Sequence, residues 1–158
     1  MSTSLTAIDV RYGTPADIAA VDAIMGAAFD PQFGEAWTRN QCLSVLAMAG
    51  VWLTLATVHG EPAGFALARG IADEAELLLL AVAPQHRRRG VGAALLRATV
   101  SAAEARDLAT LHLEVRRGNP AVELYRGAGF IKVGDRRNYY RARDGVTYDA
   151  QTYRRDLG

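Results

Sequence analysis

The composition of the chain excludes several classes of protein before any motif is considered. The chain has 158 residues, 50% of them hydrophobic, and a formal net charge of +1, so no overall basic bias favours nucleic acid. A single cysteine, Cys42, excludes an intramolecular disulfide and a cysteine-based zinc site. The longest apolar run, Leu77 to Ala83, is far shorter than the ~20 residues of a membrane-spanning helix. Met1 to Ser4 lack the pattern of a secretion signal. We therefore expect one domain over residues 1–158, soluble and cytoplasmic, with no membrane partner.

Helical and strand periodicities predict an α/β protein. Thr14-Pro15-Ala16-Asp17 is typical of a helix start, with a capping threonine, proline at the first helical position and an acid near the positive end of the helix dipole. The predicted elements are, in chain order, a strand over Ala7–Arg11, a helix from Thr14 through Met25, a helix from near Ala36 to Ala47, strands over Val51–Val58, Ala63–Gly70 and Glu76–Val82, a helix over Gly90–Arg106, a strand over Thr110–Val115, a helix over Asn119–Gly127, and strands over Phe130–Val133 and Tyr148–Arg155. A mixed sheet with helices on both faces is the economical packing for this order.

A strand that stops at Pro84 is followed by a basic, glycine-containing turn and a helix. Three arginines, residues 87–89, precede Gly90 and Gly92. Glycines let the backbone approach a ligand closely, and a helix N-terminus offers unpaired N–H groups, so the segment favours an anion such as a pyrophosphate. The segment is neither a Walker A loop nor a dinucleotide fingerprint. A solvated basic turn before an amphipathic helix remains the alternative.

A second polar segment follows the predicted strand over Thr110–Val115. Asn119 can cap the next helix and Pro120 can take its first position. Tyr125 lies on the apolar face of that helix, and the helix ends at Gly127 or Gly129.

Both segments resemble the GNAT superfamily of N-acetyltransferases. The run Arg87 to Gly92 resembles its Arg/Gln-x-x-Gly-x-Gly/Ala motif, and the run Asn119 to Phe130 resembles its Asn-x-x-Ala-x-x-Leu-Tyr-x-x-x-Gly-Phe signature. The resemblance implies a mixed, mostly antiparallel sheet of about seven strands and acetyl-CoA as the acetyl donor, without a metal. The implied acetyl-CoA contacts are Leu80, Ala81, Val82, Arg87, Arg88, Arg89, Gly90, Val91, Gly92, Ala93 and Asn119.

The chemistry of acetyl transfer needs a base and an acid. A carboxylate can remove a proton from the acceptor amine, directly or through water, and a phenol can protonate the leaving thiolate. Glu114 and Tyr125 fit these roles, and the mechanism would be direct transfer in a ternary complex without an acetyl-enzyme. Outside the motif context, a strand glutamate is usually solvated and a helix tyrosine usually belongs to the core.

Further segments resemble the bacterial RimI-type branch, the ribosomal-protein alanine N-acetyltransferases. They are residues 73–82, residues 113–116 around Glu114, and Arg136-Arg137-Asn138-Tyr139-Tyr140. The branch implies a protein N-terminal amine as acceptor, and the alanine terminus of a small-subunit ribosomal protein is the candidate that follows from it. The implied acceptor contacts are Trp37, Arg137, Asn138, Tyr139 and Tyr140. The chain departs from the branch at Ala36, at Tyr148 and in the loop over residues 30–35. A small amine as acceptor, or a CoA-binding sensor without turnover, stays open.

Other candidate sites are weaker. The basic and aromatic side chains over residues 136–143 could form a solvated hairpin or stack on nucleic acid, but the near-neutral charge favours the rim of an acceptor site. His59, His86 and His112 have no ligand partners at metal-binding spacing, so we expect no metal site. Cys42, on an apolar helix face, is expected to be a buried packing residue. The oligomeric state does not follow from the sequence.

Overall fold

Seven strands form one sheet in the computed structural model, which describes residues 7–158. The strands are β1 (Ile8–Tyr12), β2 (Val51–Val58), β3 (Glu61–Ile71), β4 (Glu74–Val82), β5 (Thr110–Arg116), β6 (Ile131–Arg141) and β7 (Thr147–Asp156). They lie in the order β1-β2-β3-β4-β5-β7-β6. Only the β4–β5 pair is parallel, and the other five neighbouring pairs are antiparallel. The predicted mixed, mostly antiparallel sheet of about seven strands is therefore confirmed.

Four helices cover the two faces of the sheet. They are α1 (Ile18–Ala28), α2 (Arg39–Leu46), α3 (Val91–Ala105) and α4 (Val122–Gly127). One buried cluster joins the sheet to α3 and α4, and a second joins it to α1 and α2. Cys42 is 2% exposed in the second cluster, which confirms its expected packing role. Across residues 7–158, none of these helices combines the length and apolarity that a membrane crossing requires.

Several element boundaries differ from the predictions. Thr14 is a cap as predicted, and it forms a capping box with Asp17, but it caps a short 3-10 turn that precedes α1. Asn119 does accept a hydrogen bond from the Ala121 amide at 2.9 Å, but α4 begins only at Val122, so the prediction of Pro120 as its first residue was wrong. β6 extends to Arg141 rather than ending at Val133, because pairing with β7 holds a polar stretch that lacks apolar alternation.

A β-bulge at Leu78 changes which face of the sheet the residues of β4 occupy. Leu67 of β3 pairs with Leu79, and Ala68 pairs with Leu77, so Leu78 is the extra residue. Before the bulge Leu77 packs on the α3 side, and after it Leu79 packs on the α1 side. Side chains two residues apart on a regular strand share a face, so this change identifies the bulge independently. A bulge bends its strand and increases the local twist.

β4 and β5 separate at the same point. Their parallel pairing runs from Glu74 and Thr110 to Leu77 and Leu113 and goes no further. β4 continues beside β3 as far as Val82, and β5 continues beside β7 as far as Arg116. The sheet therefore opens into a cleft between the C-terminal halves of two adjacent strands.

Leu113 closes the base of this cleft, and its truncation is expected to destabilise the protein. Its side chain is 1% exposed, so Leu113→Ala should lower the free energy of unfolding by about 2–5 kcal/mol, measured by urea denaturation. Ile131→Ala is the control, because Ile131 is 65% exposed on the edge strand and its loss should cost under about 0.5 kcal/mol. Equal losses in the two variants would contradict the packing described.

Candidate active site in the cleft between β4 and β5

A cavity of about 130 Å³ occupies the cleft. Its walls come from β4, β5, the start of α4, β6 and the connection between α1 and α2. Seven residues predicted from sequence to act in the site line this cavity: Trp37, Leu80, Glu114, Asn119, Tyr125, Tyr139 and Tyr140. Residues separated by about 100 positions in the chain are thus brought to one place.

A second cavity, of about 410 Å³, runs from the cleft toward the first turn of α3. Leu80, Ala81 and Val82 of β4 line one side, and Asn119 with the residues after it lines the other. Gly92 lies at its far end, and a Cβ built on Gly92 would stand 3.2 Å from Leu124 Cδ2, so a larger residue would crowd this end. We call this elongated cavity the donor channel.

The basic turn before α3 is held by its backbone and by one arginine. The Arg87 guanidinium donates to the Ala28 carbonyl at 2.8 Å, which ties the turn to the end of α1. Gly90 has φ +85°, a left-handed conformation that glycine adopts without strain. The Ala94 amide bonds the Gly90 carbonyl, so the N–H groups of residues 91–93 form the first helical turn and have no acceptor within the helix.

Other residues of the turn lie off the channel. Val91 is 1% exposed within the core, and Ala93 faces a separate groove between α3 and α4. Arg88 and Arg89 are exposed and line none of the cavities described here. Contacts from these residues to acetyl-CoA therefore stay predictions, and for Val91 and Ala93 they would be made by the backbone.

A buried ion pair anchors the connection between α1 and α2 to the donor channel. Arg116 Nε lies 3.1 Å from Glu35 Oε1, and the two side chains are 12% and 9% exposed. Asn119 Nδ2 donates to the other oxygen of Glu35 at 3.3 Å. The Arg116 guanidinium also lies 3.6 Å above the ring of Phe33. These contacts fix the wall that the central cavity and the donor channel share, since Glu35 lines both.

One carboxylate oxygen of Glu114 forms an ion pair and the other accepts a hydrogen bond. Arg136 Nε lies 3.1 Å from Oε1, and the Thr152 hydroxyl donates to Oε2 at 2.7 Å. The side chain of Glu114 is 9% exposed. The carboxylate is therefore oriented by its neighbours while it faces the central cavity.

Three tyrosines face the central cavity as protonated phenols. Burial, and to a lesser degree the charge of Glu35, raises the pKa of Tyr125 well above its usual range. The same two causes, in the same order, raise the pKa of Tyr140, whose hydroxyl donates to the Glu114 backbone carbonyl at 3.3 Å. Burial also raises the pKa of Tyr139. At neutral pH each of these phenols holds a proton that it can donate.

A third cavity, of about 590 Å³, opens on the face of the sheet that α2 covers. Trp37, Glu76, Leu78 and Glu114 line both this cavity and the central one, so the two are continuous. Met48 of the segment after α2 adds an apolar wall. We call this cavity the acceptor cavity. It approaches Glu114 from the side away from the donor channel.

Arg137 and Asn138, which were predicted to contact the acceptor, line none of these cavities. Asn138 lies in an irregular part of β6 with φ +54°, where its backbone N–H donates to the Asp149 carboxylate at 2.9 Å. Its side-chain oxygen accepts a hydrogen bond from the Thr147 hydroxyl at 2.6 Å. These bonds hold the β6–β7 hairpin, so a contact from either residue to an acceptor stays a prediction.

Four residues of the site were not predicted from sequence: Glu35, Glu76, Arg116 and Thr152. The alternation of β5 could have identified Arg116, because it lies two residues beyond Glu114 and so shares its face. Glu35 has no such sequence feature, since its partners lie 81 and 84 residues away.

The fold and the cleft define a class of protein. Residues 18–130 match the sequence profile of the acetyltransferase (GNAT) family, which is well over half of the chain. The chain therefore belongs to the GNAT family of acetyltransferases.

Individual relatives narrow the resemblance within the family. The chain is 44% identical over 90 residues to the [ribosomal protein bS18]-alanine N-acetyltransferase of Escherichia coli, a match that covers 56% of this chain and 61% of that protein. It is 42% identical over 86 residues to the N-alpha-acetyltransferase RimI of Mycobacterium tuberculosis, a match that covers 54% of this chain and 51% of that protein. The sequence matches thus span about half to three fifths of these relatives. The crystal structure of the ribosomal-protein-S18-alanine N-acetyltransferase from Escherichia coli superposes with a TM-score of 0.85 at 32% identity, covering 96% of this chain and 95% of that one.

Arg116→Met is expected to destabilise the protein, because it leaves the buried Glu35 carboxylate without its ion-pair partner. The free energy of unfolding should fall by about 3 kcal/mol in urea denaturation at neutral pH. The matched control is Arg126→Met, whose partner Glu123 lies 4.0 Å away with both side chains more than half exposed. That pair should contribute under about 1 kcal/mol. A loss for Arg116→Met no larger than for the control would contradict the anchoring role of the pair.

Proposed function

We propose that the protein transfers the acetyl group of acetyl-CoA to the N-terminal α-amine of a protein, and that this acceptor is the alanine terminus of a small-subunit ribosomal protein. The observation that carries the proposal is that the central cavity, lined by Glu114 and Tyr125, lies between the donor channel, which leads to the N-terminus of α3, and the acceptor cavity, which opens to solvent. The resemblance to the alanine N-acetyltransferases supports the choice of acceptor. The enzyme would encounter a ribosomal protein in the cytoplasm, so the proposal includes a cytoplasmic location for this protein.

Acetyl-CoA would lie along the donor channel. Past Leu77, the edge of β4 that faces β5 has no strand partner, so the backbone groups of Leu80 and Val82, which point away from β3, are available to the pantetheine arm, while those of Ala81 face β3. Asn119 faces the arm from the opposite wall. The pyrophosphate would meet the N–H groups at the start of α3, whose partial positive charge stabilises anions. The arginines before Gly90 would add charge-assisted contacts.

Glu114 and Tyr125 would perform the proton transfers. The amine nitrogen attacks the thioester carbonyl, a C–N bond forms, and the C–S bond breaks as the tetrahedral intermediate collapses. Glu114 accepts a proton from the nitrogen, and Tyr125 gives its proton to the departing sulfur. The raised pKa of Tyr125 keeps the phenol protonated until the thiolate appears. Backbone N–H groups of β4 beside the bulge are suited to stabilise the oxyanion.

The acceptor would enter from the acceptor cavity, with the side chains of Trp37, Tyr139 and Tyr140 around its first residue. Arg137 and Asn138 would act from the rim of the β6–β7 hairpin, outside the cavity. A peptide N-terminus is the acceptor that this wide groove suits best, because the chain can continue outward into solvent.

An acceptor assay tests the proposal. Thiol release from acetyl-CoA is measured with an alanine-starting peptide that contains an internal lysine, with the same peptide blocked at its N-terminus, and with a panel of free amines. We expect release only with the unblocked peptide, and mass spectrometry should locate the acetyl group on its α-amine. Release with free amines alone would overturn the peptide assignment. Absence of release with every acceptor, despite acetyl-CoA binding in calorimetry, would overturn the enzymatic assignment.

Tyr125→Phe is expected to lower kcat by about 100-fold, because the leaving thiolate then lacks its proton donor. Acetyl-CoA affinity, measured by calorimetry, should be almost unchanged, because the ring that packs against Phe130 is retained. Tyr12→Phe, on the exposed first strand, is the control and should keep full activity. A parallel loss of acetyl-CoA affinity and kcat in Tyr125→Phe would assign the residue to binding instead.

A further inference from the structure

The acetylation of an ammonium group releases two protons from one nitrogen. An α-ammonium carries three N–H bonds and the amide product carries one. The first proton must leave before attack, because only a neutral amine has the lone pair that forms the C–N bond. The second leaves after attack, when the nitrogen of the tetrahedral intermediate is positively charged. Tyr125 supplies one proton to the sulfur, so the overall reaction delivers one proton to solvent.

Glu114 is poorly suited to accept both protons. One of its oxygens forms an ion pair with Arg136, and the other accepts a hydrogen bond from Thr152. Its side chain is also only 9% exposed, so a proton taken from the incoming ammonium would return to water less readily than one held by an exposed carboxylate. The second proton is easier to remove, because a nitrogen bonded to the tetrahedral carbon is more acidic than a free ammonium. One oriented carboxylate suffices for that step.

Glu76 carries a second carboxylate in the same cleft, and among residues 7–158 this carboxylate has no hydrogen-bond or ion-pair partner. It lies on β4 opposite His112 of β5, and Glu114 lies two residues further along β5 on the same face of the sheet. Glu76 lines the central cavity and the acceptor cavity, as Glu114 does. Among residues 7–158, no side chain or backbone group forms a hydrogen bond or an ion pair with its carboxylate. It is exposed, so it can pass a proton to water.

The surroundings of Glu76 strengthen it as a base. Partial burial of the carboxylate in the cleft, followed by the charge of Glu114, raises its pKa above the usual range. The positive groups around it oppose this shift without reversing it. The charged and titratable groups that face Glu76 are Arg69 from β3, His112 and Glu114 from β5, and Arg136 and Tyr139 from β6. Of the residues from the α2 side, Trp37 and Met48 line the same cavity and carry no charge.

We propose that Glu76 accepts the proton that the acceptor ammonium loses before attack, while Glu114 accepts the proton released after the C–N bond has formed. The incoming ammonium would meet Glu76 first, because Glu76 is exposed where the acceptor cavity joins the central one, whereas the side chain of Glu114 is 9% exposed. The neutral amine then advances to the thioester beside Glu114 and Tyr125. Before the next turnover Glu76 returns its proton to solvent through the acceptor cavity, and the proton held by Glu114 replaces the one that Tyr125 gave to the sulfur. This inference rests on the proposed acetyl transfer to an α-amine.

The two-base arrangement predicts a distinctive pH dependence for Glu76→Gln. In the wild type, the proton passes from the bound ammonium to ionised Glu76 within the complex, so no proton is exchanged with solvent before attack. Between the raised pKa of Glu76 and the pKa of the peptide amine, both reactants are already in the required protonation states. The kcat/KM for the peptide should therefore not change with pH in this range. Without the carboxylate only the neutral amine reacts, so kcat/KM should fall tenfold per pH unit below the amine pKa of about 7.7–8.0.

The experiment compares kcat/KM for the alanine-starting peptide from pH 6 to pH 9.5 in the wild type, Glu76→Gln, Glu76→Asp and Glu74→Gln. Glu76→Gln should be about 25-fold slower than the wild type at pH 6.5 and within about 3-fold of it at pH 9.5, where the amine is already neutral. Glu76→Asp retains a carboxylate and should keep the flat profile. Glu74→Gln, a matched loss of charge two residues earlier on β4, should keep the wild-type profile.

The possible outcomes separate this inference from the proposed function. A wild type that acetylates no amine contradicts the proposed function and the role of Glu76 with it. An active wild type with an unchanged pH profile in Glu76→Gln contradicts only the role of Glu76. A uniform loss at every pH, or a loss matched by Glu74→Gln, assigns Glu76 to structure or to general electrostatics. Acetyl-CoA affinity by calorimetry verifies that each variant is folded, and Glu76→Ala, which also removes the carboxylate, takes the place of Glu76→Gln if that variant does not fold.

Discussion

The end of the parallel pairing between β4 and β5, at Leu77 and Leu113, is the constraint on which the candidate site depends. The bulge at Leu78 bends β4 away from β5 and leaves one strand edge without a partner. Unpaired backbone groups in a sheet are costly unless something bonds them, and a substrate with an extended amide-containing arm is suited to that purpose. The gap also admits side chains from α4, β6 and the connection after α1. The separation of β4 from β5 therefore creates the donor channel and also makes room for the reacting groups.

The charges around the cleft are divided between its two ends. The donor end carries a helix N-terminus and a basic turn, which suit a pyrophosphate. The centre and the acceptor end contain carboxylates, and two of them, Glu35 and Glu114, are paired with Arg116 and Arg136. The paired carboxylates hold the walls of the cavities in place. Within the described residues 7–158, Glu76 has no hydrogen-bond or ion-pair partner, which distinguishes it from Glu35 and Glu114, the other acids that line the central cavity. The overall charge of +1 conceals this division.

The donor half of the site could be predicted from sequence because its parts are contiguous. The basic turn with Gly90 and Gly92, and the segment from Asn119 to Tyr125, each lie within one strand–turn–helix unit. The bulge could not be predicted, because the apolar run that contains Leu78 has no alternation that would reveal a change of face. The Glu35–Arg116 pair joins residues 81 positions apart, and only the folded sheet brings them together. The full length of β6 was missed because its pairing with β7, rather than its own periodicity, makes it a strand.

The central claim is that the gap between β4 and β5 is the acetyl-CoA site, and an NMR titration of the isotope-labelled protein tests it most directly. Backbone amide shifts are followed as acetyl-CoA is added, with Ile131 and Lys132 of the distant edge strand as internal references. The account predicts saturable shifts for the amides of residues 79–82, for those of residues 90–93 at the start of α3, and for Asn119. Shifts that cluster in the groove between β1 and α3 or in the groove between α3 and α4, with the β4 amides unmoved, would contradict it.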